Sequence, residues 1–307
     1  MTITSPAGAP AAPAAGPRPR KTTAQPTGAD RIPRPSQGWY RDKVTGAKYR
    51  RVTTILSQGS TKGDILARWA GNLVAETAFA HLPQLVAASL RPDERAEKQA
   101  WLSRAPLRKK DERADIGSAV HRIIEAHVLG RPIPAELVED PEMAPYLRHF
   151  RAFVRDWQVT FEASEMVVGS PEHGYAGTLD YLLRSPLITA ALDIPADTVL
   201  MGDTKTGGEL DVKGVYPEAA LQMSAYRKAS IAWLQDGTTV PMPPTHSTGV
   251  VLHLRPEGYR VIPVVCDDRV FDQFRIVQQA AEWVSGLSKT VVGKALSLPA
   301  STERRAA

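Results

Sequence analysis

Asp203 and Lys205 stand two residues apart at the end of an apolar run, Thr198-Val199-Leu200-Met201, with Gly207 and Gly208 just beyond. Such a run reads as a β-strand, where residues i and i+2 project from one face, so carboxylate and ammonium share one side of a sheet. A carboxylate there can hold a hard divalent cation such as Mg²⁺ or Mn²⁺ through oxygen. The ammonium beside it can orient a water and stabilise negative charge on a phosphate. Taken alone, Asp-x-Lys is common, and a surface ion pair accounts for most instances. Asp180 is a second candidate, lying between Leu179 and Tyr181 after the small residues Gly174, Ala176 and Gly177. The small residues let the backbone approach something closely, and the acid is costly to bury unless it is paired or bound to metal. A capped turn or a solvent-facing strand would explain Asp180 equally well.

Two helical stretches add groups at i, i+4 spacing. His121 and Glu125 share a helix face, one turn after Gly117, so the carboxylate can orient the imidazole as metal-bound histidines usually require. His127 falls on another face. Gln222 and Tyr226 repeat the spacing and offer an amide and a hydroxyl on a flat ring, suited to touching a nucleotide or bracing a site. An ordinary amphipathic helix would show the same pattern.

The elements that must position these groups follow from hydrophobic periodicity. Trp39 to Leu56 reads as two short strands around a turn at Thr45-Gly46, running into a helix. Helices are expected over 65–80, over 94–110 with a break at Pro106, over 111–129 with closure by Gly130 and Pro132, and over 141–157. Strands then follow at 159–170, 174–185 and 198–207, with a turn near Glu172-His173-Gly174. A helix over 216–234, a hairpin over 247–265 turning at Pro256-Glu257-Gly258, and a last helix over 267–287 complete the chain. This alternation predicts an α/β sheet with helices on its faces.

Composition narrows the classes. The 307 residues are 43% hydrophobic and 23% charged, as in an ordinary globular chain with a real core. The single cysteine, Cys266, excludes an internal disulfide and a four-cysteine iron–sulfur cluster and suggests a reducing compartment. The net charge of +5 belongs to the ends, where Arg18, Arg20, Lys21, Arg31, Arg34, Arg304 and Arg305 face only Asp30 and Glu303. Residues 1–36 are rich in Ala, Pro, Gly and Thr and are expected to be disordered. No stretch approaches the roughly 20 apolar residues that span a bilayer.

In order along the chain, His121, Asp180, Asp203-x-Lys205 and Gln222-x-x-x-Tyr226 resemble the PD-(D/E)XK nuclease superfamily. Within it the chain is similar to the RecB-like branch, which includes phage and bacterial recombination exonucleases. Gly117 to His121 matches that branch's Gly-x-x-x-His helix, and Gly177 to Asp180 its Gly-x-x-Asp strand. Glu165 resembles a frequent acidic position in the preceding strand. The resemblance covers about residues 112–235, and Tyr49 to Leu56 with Leu66 to Glu76 is similar to the start of phage-encoded members. The lone cysteine sets the chain apart from relatives with an iron–sulfur cluster.

The resemblance implies a restriction-endonuclease-like core, a central mixed β-sheet flanked by helices with an N-terminal helical elaboration. Its domain would span 37–298 with a core at about 112–265, between tails at 1–36 and 299–307. It implies Mg²⁺- or Mn²⁺-dependent hydrolysis of DNA phosphodiester bonds, by an exonuclease of phage or bacterial recombination or repair, in the cytoplasm. Asp180 and Asp203 would hold one or two ions, with His121 as a further ligand and the Thr204 carbonyl as a fourth. Lys205 would position the attacking water, and Gln222, Tyr226, Glu125 and Glu165 would bind substrate or support the site. Arg104, Arg108, Lys109, Lys110 and Arg113, with Arg148, Arg151 and Arg155, are candidates for contacts to a DNA backbone. DNA, single- or double-stranded, is the expected partner, with a single-strand annealing protein or a helicase in trans, since the chain has no P-loop of its own. The alternatives are a catalytically inactive nucleic-acid-binding accessory protein on the same fold and a structural protein whose acids are ion pairs.

Overall fold

The structure, a computed structural model, describes residues 28–60, 62–210 and 215–297. Strands β1 (Arg34–Ser36), β2 (Trp39–Arg41) and β3 (Lys48–Arg51) form an antiparallel meander. The second turn is built as expected: Gly46 takes φ +77°, and the Asp42 carboxylate accepts from the Val44 and Thr45 amides. This meander corrects the expected disordered tail over 1–36, because β1 and a 3-10 turn at Gly28–Arg31 lie inside it. The remainder of that tail, and the one at 299–307, lie outside the described residues.

Helix α1 (Val52–Gly59) follows β3 without a loop. An outlying helical arm comes next, made of α2 (Lys62–Ala80), α3 (Leu82–Ser89) and α4 (Pro92–Ser103). Helix α5 (Ala105–Val128) returns from the arm to the body. The break expected at Pro106 falls at Arg104, and Pro106 sits in the first turn of α5, where a missing N–H costs nothing. After the short α6 (Ala135–Val138), α7 (Ala144–Asp156) leads into β4 (Thr160–Ser170) and β5 (Tyr175–Arg184). Then come α8 (Pro186–Ala191), β6 (Leu200–Lys205) and α9 (Glu218–Arg227).

The helix expected over 216–234 ends at Arg227. The chain instead turns into β7 (Ile231–Trp233), which pairs with β4 and with β8 (Thr239–Pro241). The apolar run Ile231-Ala232-Trp233 fits either period. Tertiary packing decides it, because the Trp233 ring lies so close over Gly169 that a side chain there would touch it. β9 (Thr248–Arg255) and β10 (Gly258–Val265) make the expected hairpin, and α10 (Asp268–Ser285) closes the described fold.

Among the described residues all the strands belong to one ten-stranded mixed sheet flanked by helices. One face packs on α1, α9 and α10 through Ile55, Met223 and Phe274. The other packs on α5 and α7 through Ile123, Phe150 and Phe153. No helix among the described residues is long and apolar enough to cross a membrane.

The topology of β5 is what makes a site. Along one edge it pairs with β4 over its whole length. Its other edge is divided: Tyr175 and Ala176 lie against the parallel β3, and Tyr181 to Leu183 against the antiparallel β6. Between those ladders the sheet forks, and Asp180 sits in the fork.

Candidate functional site

At the fork, the backbone hydrogen bonds that a continuous ladder would make are replaced by side chains. The β5–β6 pairing stops at Tyr181 opposite Gly202, so the Thr204 amide further along β6 has no strand partner on that side. It donates instead to Asp180 Oδ2 at 2.7 Å. A buried amide must find an acceptor, and here the acceptor is a carboxylate. The Thr204 side chain points to the other face and shares a hydrogen bond with the Tyr181 hydroxyl, at 3.1 Å. Gly202 is required beside it, because a Cβ there would lie 2.0 Å from the Tyr181 ring.

Strand alternation places Asp203 and Lys205 together, as the sequence pattern predicts. Lys205 Nζ lies 2.8 Å from Asp203 Oδ1 and 2.6 Å from Oδ2. Gln222 Nε2 donates to the same Oδ1 at 3.2 Å. Oδ2 is buried and, among the described residues, has the Lys205 ammonium as its partner. Gln222 therefore braces the carboxylate, one of the two roles its helical position suggested. Tyr226, one turn on, explains Gly177: a Cβ at 177 would lie 2.2 Å from its ring, so the small residue of β5 and the tyrosine of α9 fit only as a pair.

His121 lies across the cleft on α5. Its Nδ1 is 3.2 Å from Glu165 Oε1 and its Nε2 is 3.7 Å from Asp180 Oδ2. The expected orienting partner, Glu125, is a correction: it lines the cleft but makes no hydrogen bond to His121. Glu165 takes that place from β4, 44 residues away in sequence. It does so at φ +48°, a left-handed conformation that costs a non-glycine residue about 1 kcal/mol or more. A Cβ on Gly117, a turn before His121, would meet only Thr206 Oγ1, at an ordinary contact distance of 3.6 Å, so no steric need for glycine exists there.

The electrostatics follow from this crowding. Burial, then the charge of Asp203, pushes the Asp180 carboxyl up to about 7, against the opposing pull of His121, Lys205 and the Thr204 amide. Burial disfavours the His121 imidazolium, but the bond to Glu165 and the charges of Asp180, Glu165 and Asp203 outweigh it and raise the group to about 9. Burial likewise works against charged Lys205, yet Asp203 and Asp180 hold its ammonium above the usual lysine range. Burial takes the Tyr226 phenol well above its ordinary value, helped by Tyr40, Asp180 and Asp203.

Ligand atoms of His121, Glu165 and Asp180 all lie within 4.8 Å of one another. Oxygen donors with one imidazole suit Mg²⁺ or Mn²⁺. The residues present thus fit a divalent cation. Of the expected ligands, His121 and Asp180 converge, Asp203 is turned to Lys205 and Gln222, and Thr204 meets Asp180 through its amide. Glu165 joins the cluster.

Other residues escaped the sequence reading. Pro35, Tyr40, Arg51 and Thr53, from the N-terminal meander and the start of α1, line the same cleft of about 550 Å³. Tyr40 bonds Thr178 of β5 at 2.8 Å. On β9, a His253 ring nitrogen lies 2.8 Å from the Gly207 carbonyl and Arg255 donates to that of Thr206 at 2.6 Å, which anchors the chain just past Lys205. Only the pairing of distant strands brings these groups in, so no local spacing marks them.

No family model matches this chain, and no curated protein matches it.

Proposed function

We propose that the protein is a Mg²⁺- or Mn²⁺-dependent nuclease that hydrolyses DNA phosphodiester bonds, with a restriction-endonuclease-like core of the PD-(D/E)XK type. The observation that carries the reading is the convergence, in one fork of one sheet, of His121, Glu165, Asp180, Asp203 and Lys205. An Asp203–Lys205 ion pair alone would not gather His121, Glu165 and Asp180 to within 4.8 Å of one another beside it.

His121, Glu165 and Asp180 would hold the cation, with Asp203 supplying another oxygen. A bound Mg²⁺ or Mn²⁺ acidifies a water and neutralises charge on the scissile phosphate. Lys205, fixed by Asp203, holds its ammonium where it can orient the attacking water and meet developing negative charge. Gln222 keeps Asp203 in place, and Glu165 holds the imidazole of His121 in one orientation. Exonucleolytic action in phage or bacterial recombination or repair is the setting this reading suggests.

The test is degradation of end-labelled single- and double-stranded DNA by the purified chain, with EDTA, Mg²⁺ or Mn²⁺. Metal-dependent cleavage that Lys205→Ala and Asp203→Ala abolish is the expected result. Tight DNA binding without cleavage in either metal would favour an inactive binding protein, and cleavage by Lys205→Ala at the wild-type rate would sink the assignment.

A further inference from the structure

Arg50 and Arg51 are neighbours in β3 with opposite fates. Arg50 is buried and turned towards α10, where it meets Ser285 Oγ at 2.7 Å, Gln58 Oε1 and the Ala281 carbonyl. Arg51 is exposed on the cleft side and lines it together with Glu165, Asp180, Lys205, Gln222 and Tyr226. Its β-strand register is opposite Ala176, at the mouth of the fork whose other arm is β6.

The other cations of the cleft are engaged. Lys205 is held by Asp203, His121 by Glu165 and Asp180, and Arg122 by Glu136 at 2.6 Å. Among the described residues the Arg51 amide donates to the Gly38 carbonyl, but its guanidinium has neither an ion-pair nor a hydrogen-bond partner. It shares the cleft wall with Tyr40 and Tyr226, and its charge opposes the upward shift of both phenols. The groups bearing most on Asp180 are Asp203, His121 and Lys205, so Arg51 is not committed to neutralising the acids. An uncommitted guanidinium at the rim of an acidic cleft is suited to a planar, bidentate anion.

We propose that Arg51 is a phosphate-binding residue of the cleft, taking the non-bridging oxygens of a phosphodiester next to the one that faces Lys205. This rests on the nuclease reading and extends it. The N-terminal meander, outside the residues that carry the family resemblance most fully, then forms one wall of the substrate site. The strand would pass between β3 and β6, with Arg51 as its anchor on one arm and Lys205 at the chemistry on the other.

The experiment uses the full chain with Arg51→Ala and Arg51→Lys, and Arg269→Ala on α10 as a charge-matched control. Binding of a fluorescein-labelled single-stranded oligonucleotide is followed by anisotropy in EDTA across a salt series. Steady-state hydrolysis with Mn²⁺ gives kcat and KM. Arg51→Ala is expected to weaken binding about tenfold. It should also reduce the slope of log affinity against log salt by about 0.7, the loss of one single-strand phosphate contact. KM should rise while kcat stays within about twofold, the mark of lost binding rather than lost chemistry. Arg51→Lys should keep the slope and recover part of the affinity, and Arg269→Ala should change neither.

Wild-type affinity, slope and KM in Arg51→Ala would overturn this proposal and leave the nuclease reading standing, as would an equal loss in Arg269→Ala. A wild-type chain that neither binds nor cleaves would overturn both. Should Arg51→Ala fail to fold by circular dichroism, Arg51→Gln is judged by the same criteria.

Discussion

Helices α2 to α4 and the strands of the fork handle apolar surface in opposite ways. In the arm, Phe79 is 79% exposed and Leu90 80%, and α4 buries no residue at all. In β5 and β6 most side chains are buried, Asp203 among them at 3% exposure. Both regions follow the hydrophobic periods of their elements, yet only one is closed on both faces by other elements. The arm is held by edge contacts such as Arg108 over Trp101 and Arg113 over Trp69, each worth about 0.5–1 kcal/mol where exposed. The fork is held by a close-packed core in which polar groups must be matched one by one, so substitutions should fall hard there and lightly in the arm.

The largest expected effect tests that contrast at its centre. Lys205→Ala or Asp203→Asn should lower metal-dependent DNA hydrolysis by roughly 10²–10³-fold or more, with the circular-dichroism spectrum retained. Retained activity would show that the most tightly packed ion pair of the fork is structural.

Next in size is Gly177→Ala, whose methyl would meet the Tyr226 ring. Overpacking of this kind costs about 1–3 kcal/mol, readable in urea unfolding. In the double variant Gly177→Ala/Tyr226→Ala the glycine substitution should become nearly neutral. Additive losses would show that the two motifs are not coupled through this contact.

A smaller effect comes from protonation. With Asp180 raised to about 7, the metal-free fold should lose stability as pH climbs from about 4 through 7 and the buried carboxyl ionises. His121, raised from 6.5 to about 9, contributes stability that is whole below 6.5 and is lost as pH rises through 9. Asp180→Asn should remove the first dependence and His121→Gln the second, in unfolding midpoints taken from pH 4 to 10. Mn²⁺ should raise the melting temperature of the wild type and have much less effect on Asp180→Asn. Equal Mn²⁺ stabilisation of both would place the cation elsewhere.

The smallest effect belongs to the arm. Phe79→Ser should change stability by no more than about 0.5 kcal/mol, as surface substitutions usually do. Phe153→Ala in the core should cost about 3–5 kcal/mol. A large loss from Phe79→Ser would mean that the arm's apolar face is covered in solution.

Much of this was legible from residue order. The paired strands before α1, the helix bearing His121, the hairpin turning at Pro256 and the shared face of Asp203 and Lys205 all follow from local periodicity. Those patterns depend on dihedral angles and neighbours within a few positions. The helix expected through Leu234 failed because Ile231-Ala232-Trp233 satisfies either period, and contact with β4 chose the strand. Glu125 was a sound local inference, since i, i+4 carboxylates do reach histidines. It lost to Glu165 because the packing of α5 on the sheet turned the imidazole towards β4.

What the sequence by itself determined is the set of elements and the chemical types they carry, because side-chain direction within a helix or strand is a local property. Tertiary structure alone decided who meets whom. The division of β5 between β3 and β6 opened the fork, gave the Thr204 amide a carboxylate in place of a carbonyl, seated Tyr226 on Gly177, and set Arg51 at the mouth of the cleft. Each of those contacts joins residues dozens of positions apart, and their meeting depends on the strand register and helix packing of the whole sheet, which no single stretch encodes.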